Sequence, residues 1–102
     1  MEKKAAYELI NFYHFYAAYK NREMAKAADY ASKLGDNYAL GLIAKAVTAL
    51  AMRAIDQAQT ATRRLRAMDR AWCEYPKIEL GKTVFEPTTL TRLMADLRAA
   101  CL

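Results

Sequence analysis

The feature that most constrains the fold is a stretch of 39 residues, 37–75, that contains no proline and only one glycine, Gly41. Apolar residues recur along it at spacings of three and four, the period of one helical face. This seam consists of Leu40, Ile43, Val47, Leu50, Ala54, Ala58, Ala61, Leu65, Met68, Trp72 and Tyr75. The pattern predicts one long central helix over about 37–75.

A straight helix of that length would measure about 58 Å at 1.5 Å per residue. A compact domain of this size is only about 30 Å across. Two consecutive spacings of four, from Leu50 to Ala54 and from Ala54 to Ala58, interrupt the strict heptad and locally unwind a supercoil. We therefore expect that the helix either bends around 57–62 or projects and is covered by a second copy of the chain.

Shorter helical patterns lie on the N-terminal side of this stretch. Apolar spacing predicts one helix over residues 3–20 and a second over about 22–34. The second is expected to end at Gly35, because glycine adopts a left-handed backbone without steric cost. Asp36 or Asn37 is then expected to cap the following helix through its side-chain oxygen.

The pattern changes after Tyr75-Pro76. Residues 77–86 alternate around Gly81-Lys82 and predict a short β-hairpin before a last helix that begins at Pro87. With 21 alanines, 3 glycines and 2 prolines, the composition also favours helix. The predicted fold class is mainly all-α: a bundle of about four helices in one domain, 1–102, built on the long helix.

The cysteines and the histidine offer no metal site. Cys73 and Cys101 are the only cysteines, 28 positions apart, and His14 is the only histidine, so neither a zinc spacing nor a cofactor motif is present. We expect two small core-lining thiols in a reducing compartment, with a disulfide or a dimer-linking thiol as the alternatives.

Catalytic motifs are weak. No serine, cysteine or carboxylate stands at a spacing that would make a triad with His14 recognisable. Residues 76–83 end in Gly-Lys-Thr like a phosphate-binding loop, but Pro76 replaces the first glycine and a strand pattern follows. We therefore predict a protein that is not an enzyme, with no catalytic residues and no bound cofactor.

Two helical motifs are also disfavoured. The Ala-x-x-x-Gly turn at 31–35 is typical of a helix-turn-helix, but Gly41 stands where an aliphatic residue is required and the reading helix has one base, Lys45. Tetratricopeptide-like helix pairs around 35–50 fail because the period does not recur.

Basic residues form a second pattern on the predicted long helix. Arg63, Arg66 and Arg70 fall opposite the apolar seam, in a chain with 16 Lys+Arg, 11 Asp+Glu and a formal charge of +5. Guanidinium groups pair with phosphate or carboxylate alike. This basic ridge is a candidate site for nucleic acid or for an acidic protein surface, although a solvated helix face has the same pattern.

Aromatic residues concentrate in the first helix. Six of the 11 aromatic residues lie between positions 7 and 19, more than a single core-facing stripe accommodates. Tyrosine is favoured at interfaces because its ring buries area while its hydroxyl finds a hydrogen-bond partner. Tyr7, Phe15 and Tyr19 are therefore predicted to form an exposed aromatic surface that binds a partner, with packing in the core alone as the alternative.

These observations predict a small non-enzymatic interaction protein of the regulator, inhibitor or adaptor type, such as accessory proteins of mobile elements. Its expected partner is a protein with an acidic or apolar surface, and self-association as a homodimer is a further expectation. Nucleic-acid binding through the basic ridge is the alternative. The longest uncharged run, residues 9–19, is 11 residues, so we expect a cytoplasmic protein without a membrane partner.

Overall fold

The computed structural model describes residues 2–36, 38–74 and 86–101, with side chains from Ile10 onward. Every regular element in these residues is a helix, as the sequence predicts. The elements are α1 (Glu2–Lys20), α2 (Met24–Ser32), α3 (Ala39–Ala51), α4 (Ile55–Met68), α5 (Ala71–Glu74) and α6 (Pro87–Cys101). The predicted β-hairpin over 77–86 lies outside the described residues, apart from Glu86, which directly precedes α6.

Helix α3 lies at the centre of the core. It packs against α1, α2, α4 and α6, and between positions 41 and 49 only Lys45 keeps an appreciably exposed side chain. Around it lie the large buried side chains Phe12, Phe15 and Tyr19 of α1, Leu65 of α4, and Leu93 and Leu97 of α6. The central helix thus has 13 residues.

The predicted long helix over 37–75 is wrong. The chain leaves the helix between Ala51 and Ile55 and breaks again after Met68, so α4 folds back onto α3. The molecule measures only 33 × 28 × 27 Å. The bend predicted near 57–62 is also wrong, since those residues lie within α4. The chain reversal places one residue in a left-handed conformation, which costs about 1–2 kcal/mol. Burial of the apolar side of α4 against α3 stabilises the fold by more than that cost.

The turn between α1 and α2 satisfies the helix end with backbone groups alone. Arg22 has a left-handed backbone, with φ of 62°. Its N–H donates to the carbonyl of Tyr19 at 3.0 Å, and the N–H of Glu23 donates to the carbonyl of Ala18 at 2.9 Å. These two bonds define a Schellman motif, a helix ending that usually has glycine at the left-handed position.

The turn between α3 and α4 repeats this geometry 31 residues later. Arg53 has φ of 61°, and its N–H donates to the carbonyl of Leu50 at 3.0 Å. The N–H of Ala54 donates to the carbonyl of Ala49 at 2.8 Å. The next helix starts from the same backbone, with φ and ψ of −87° and 72° at Ala54 and of −89° and 73° at Glu23.

Helices α1–α2 and α3–α4 are therefore two copies of one αα-hairpin. Few residues are shared between the copies, which is why no period is recognisable in the sequence. At this offset the shared residues from position 11 to position 36 are Ala18 and Ala49, Arg22 and Arg53, Ala27 and Ala58, and Leu34 and Leu65. All of these except the arginines are buried, so the repeat is kept in the turn and in the core contacts.

The connection between α2 and α3 differs from its prediction. No described glycine has a positive φ, so Gly35 is not a left-handed cap. The strict glycine requirement is at Gly41, where a Cβ atom would lie 2.9 Å from both the carbonyl oxygen of Gly35 and Cβ of Leu34. The side chain of Asp36 does not cap α3 but binds Lys45.

A disulfide between Cys73 and Cys101 joins α5 to the end of α6. The expectation of two free core thiols is wrong, and the disulfide alternative is confirmed. The Cα atoms are 6.0 Å apart, close to the usual separation for a disulfide. The Arg66 guanidinium also donates to the carbonyl of Cys101, which satisfies an unpaired group at the helix end.

The other end of α6 is bound to the end of α1. The buried Tyr19 hydroxyl donates to the Asp96 carboxylate, and burial together with this bond raises the pKa of Tyr19. The Arg92 guanidinium lies 4.0 Å from the Tyr19 ring centre and donates to the Tyr19 carbonyl. Lys20 and Glu86 form an ion pair at the surface. Helix α6 is thus held at both ends.

Candidate binding groove

A groove of about 720 Å³ runs between α2 and α4, with α3 as its floor. Ligand-binding clefts in proteins commonly have 300–1,000 Å³. The groove is walled mainly by small apolar side chains, namely Ala28, Ala31, Leu42, Ala49, Ala54 and Ala61. Because most of these are alanines, the helices pack closely at their contacts and still leave open space above α3.

Polar side chains also line this groove. They are Ser32, Asp36, Lys45, Asp56, Gln57, Thr60 and Arg64, with the buried Thr48 on the floor helix α3. This set supplies donors, acceptors and charges of both signs.

One end of the groove carries a charged cluster. The Lys45 ammonium binds the Asp36 carboxylate at 2.7 Å, and the two side chains are 26% and 56% exposed. This bond lowers the pKa of Asp36, and the nearby charge of Arg64 lowers it further. Within the described residues Arg64 forms no ion pair. Two cations therefore face one carboxylate at this end.

The opposite end is less polar and carries the other sign of charge. Met52 is 56% exposed there, beside Ala54 and the first turn of α4. Asp56 lies in that turn, where a carboxylate is favoured by the positive end of the helix dipole. The Thr60 hydroxyl donates to the carbonyl of Asp56 at 2.9 Å. The groove is thus electrically asymmetric along its length.

The described side chains of the predicted aromatic surface are buried. Phe15 and Tyr19 have no solvent-exposed area, and the side chain of Tyr7 lies outside the described ones. Helix α1 contacts α2 and α3 and is joined through Tyr19 to α6, so several of its sides are buried. The large exposed side chains of α1 are instead Ile10, at 52%, and Tyr13, at 44%.

The predicted basic ridge does not lie on one continuous helix. Arg63 and Arg66 are exposed on α4, and Arg70 is exposed in the turn between α4 and α5. Arg66 is bound to the C-terminal end of α6. Arg70 lies 3.7 Å from Glu74, the exposed pair that helical spacing predicts.

Sequence reasoning missed the cluster at the end of the groove. Asp36 and Lys45 pair across a turn, and Arg64 approaches them only because α4 reverses onto α3. That reversal occurs at the left-handed Arg53, in a turn that contains no glycine or proline and so carries no recognisable sequence signal.

The described residues thus form two αα-hairpins with a groove between α2 and α4, followed by α5 and α6. The sequence matches no protein-family profile, and no curated protein and no solved structure shows significant similarity to it. Among the helices of the described residues, none is both long enough and apolar enough to cross a bilayer.

Proposed function

We propose that this protein is a non-enzymatic interaction module that binds a segment of another protein in the groove between α2 and α4. The observation that carries the proposal is the groove itself, with its small apolar side chains and the charged side chains that also line it. Stacked helical hairpins use surfaces of this kind to hold extended partners. A regulator, an inhibitor and an adaptor would each act through such binding.

The shape of the groove favours a peptide segment over a small metabolite. Leu42 and Met52 both line it, and ten residues of helix separate them by about 15 Å. An extended peptide covers that distance with four or five residues. The polar groups are spread along both walls, whereas a small-molecule site usually brings a few of them together around one point.

The distribution of charge favours protein over nucleic acid. Asp56 lines the groove and would repel a phosphate backbone at that end. Of the predicted ridge arginines, Arg66 already binds the Cys101 carbonyl and Arg70 lies in the turn between α4 and α5. Nucleic-acid binding, self-association and a cytoplasmic location remain predictions from the sequence.

Selection from a displayed library of random peptides, with the whole protein as bait, tests the proposal. Selected peptides should perturb backbone amide resonances of α2, α3 and α4 in NMR titrations. Ala28→Trp places an indole in the groove and should weaken binding at least tenfold. Ala25→Trp is the matched control, because Ala25 is an exposed residue of α2 outside the groove.

The proposal is wrong if no peptide binds above background, or if the perturbed amides lie away from the groove. It is also wrong if Ala25→Trp and Ala28→Trp weaken binding equally. Salt-sensitive binding of duplex DNA that is lost on substitution of Arg63 and Arg66 would establish the nucleic-acid alternative instead.

A further inference from the structure

The charge at one end of the groove indicates what kind of segment it takes. Lys45 and Arg64 both line this end, and the described residues offer them one carboxylate, that of Asp36. The Lys45 side chain is 26% exposed, so its stem is held against the groove while its bond to Asp36 lies at the surface. The side chains of Leu42 and Ala61, which also line the groove, are buried. A carboxylate is bound more strongly by charged donors of this kind than by neutral ones.

We infer that this end of the groove binds an aspartate or glutamate side chain of an extended partner segment, held between Lys45 and Arg64. The inference rests on the proposed function. Asp36 holds Lys45 in the free protein, and the partner carboxylate shares or replaces that contact. Lys45 already binds one carboxylate here, that of Asp36 at 2.7 Å, and Arg64 lines the same groove.

The backbone at this site favours an acidic side chain over a terminal carboxylate. Proteins commonly capture a chain terminus with free backbone N–H groups arranged as a nest. Lys45 and Arg64 each lie within a helix, at least one turn from either end, where the N–H groups are used by the helix itself. Lys45 and Arg64 therefore offer their side-chain donors alone, and these suit a carboxylate presented from the side.

The opposite end fixes the spacing of the segment. Met52 follows Lys45 by seven residues, which is about 10 Å along α3. An extended chain covers that distance with about three residues, and its successive side chains point to opposite faces. We therefore expect an apolar side chain two or four positions from the acidic one, on the same face of the segment and in contact with Met52 and Ala54.

The residue composition of peptides selected on the whole protein tests this inference. Peptides selected on the wild type should be enriched in Asp or Glu with an apolar residue two or four positions away. Selection on Arg64→Glu should lose the acidic preference. Selection on Arg63→Glu should keep it, because Arg63 is the preceding residue, undergoes the same change of charge and does not line the groove.

Affinities of one selected peptide, measured by calorimetry, give a second and more specific test. Arg64→Ala should weaken binding about tenfold, as expected for a lost charge-assisted bond. Asp36→Asn should strengthen binding about threefold, because it removes the carboxylate that competes for Lys45. Thermal melts of each variant show whether the fold is kept.

The outcomes separate the inference from the proposed function. Enrichment of acidic residues together with tighter binding by Asp36→Asn supports both. The inference is overturned if peptides bind in the groove without an acidic preference, or if they bind Asp36→Asn no better than the wild type. Either result leaves the proposed function as a binding module intact. Failure of every peptide to bind overturns the proposed function, and the inference with it.

Discussion

Removal of the bond between Cys73 and Cys101 should destabilise the protein without changing its helical fold. The disulfide joins α5 to the last residue of α6, while α6 keeps its core contacts through Leu93 and Leu97. The variant with both cysteines replaced by alanine should therefore remain helical. The perturbation acts mainly on the unfolded chain, which gains conformational freedom when the cross-link is absent.

The size of the effect follows from the length of the closed loop. The two cysteines are separated by 28 positions. The loop-entropy relation then gives a loss of about 3.5 kcal/mol in the free energy of unfolding at 25 °C. For a domain of this length, that loss corresponds to a fall in Tm of about 15 °C.

Urea denaturation followed by far-ultraviolet circular dichroism measures this loss. The oxidised wild type is compared with the wild type in a dithiol reductant and with the double variant under both conditions. The reduced wild type and the double variant should unfold at similar urea concentrations, and reductant should not affect the variant. A thiol assay of the unfolded chain confirms the redox state of each sample.

Two results would refute this reasoning. One is an unchanged unfolding midpoint of the wild type after complete reduction, which would mean that the cross-link does not restrict the unfolded chain. The other is the detection of two free thiols in protein purified without reductant. That result would support the sequence prediction that both cysteines are core thiols in a reducing compartment.

Three further substitutions test particular contacts. Gly41→Ala should lower stability by about 1–3 kcal/mol, because the added Cβ would overlap the Gly35 carbonyl; a more stable variant in urea denaturation would contradict this. Arg53→Gly should raise the free energy of unfolding by about 0.5–1 kcal/mol by removing the strain of the left-handed backbone. Arg53→Ala should not raise it, so equal urea-denaturation midpoints for the two variants would count against strain. Tyr19→Phe should remove one contribution to the pH dependence of the free energy of unfolding. The folded-state pKa of Tyr19 lies above its ordinary value of 10.0. The bond from Tyr19 to Asp96 therefore stabilises the fold fully below about pH 10 and less above it. Denaturation at pH 9 and pH 11 should therefore show the advantage of the wild type over Tyr19→Phe shrinking at the higher pH, and a constant difference would refute the assignment.

The helical parts of the fold were largely predictable, because their signals are local. The apolar spacing over 3–20 predicts α1 to within a residue, and Pro87 marks the start of α6 as expected. The reversal after Ala51 was not predictable from the same evidence. An arginine at a left-handed position carries no compositional signal, and the apolar seam continues through Arg53 as if the helix did.

The candidate site was less predictable than the fold, because it depends on contacts between distant residues. Phe15 and Tyr19 are aromatic, and no local rule shows that α6 covers part of α1. Lys45 and Arg64 are ordinary surface residues in the sequence. They become neighbours of Asp36 only once the second hairpin has closed.

The two equivalent turns at Arg22 and Arg53 make the αα-hairpin a repeating unit from which a longer chain can be built. Hairpins that share a turn and a core register can be stacked by the same contact that joins α2 to α3. A designed chain with a third copy of the 31-residue unit, inserted after α4, would widen the groove by about one helix spacing, 8–10 Å. The length of the partner segment that the groove contacts would then be set by the number of hairpin units.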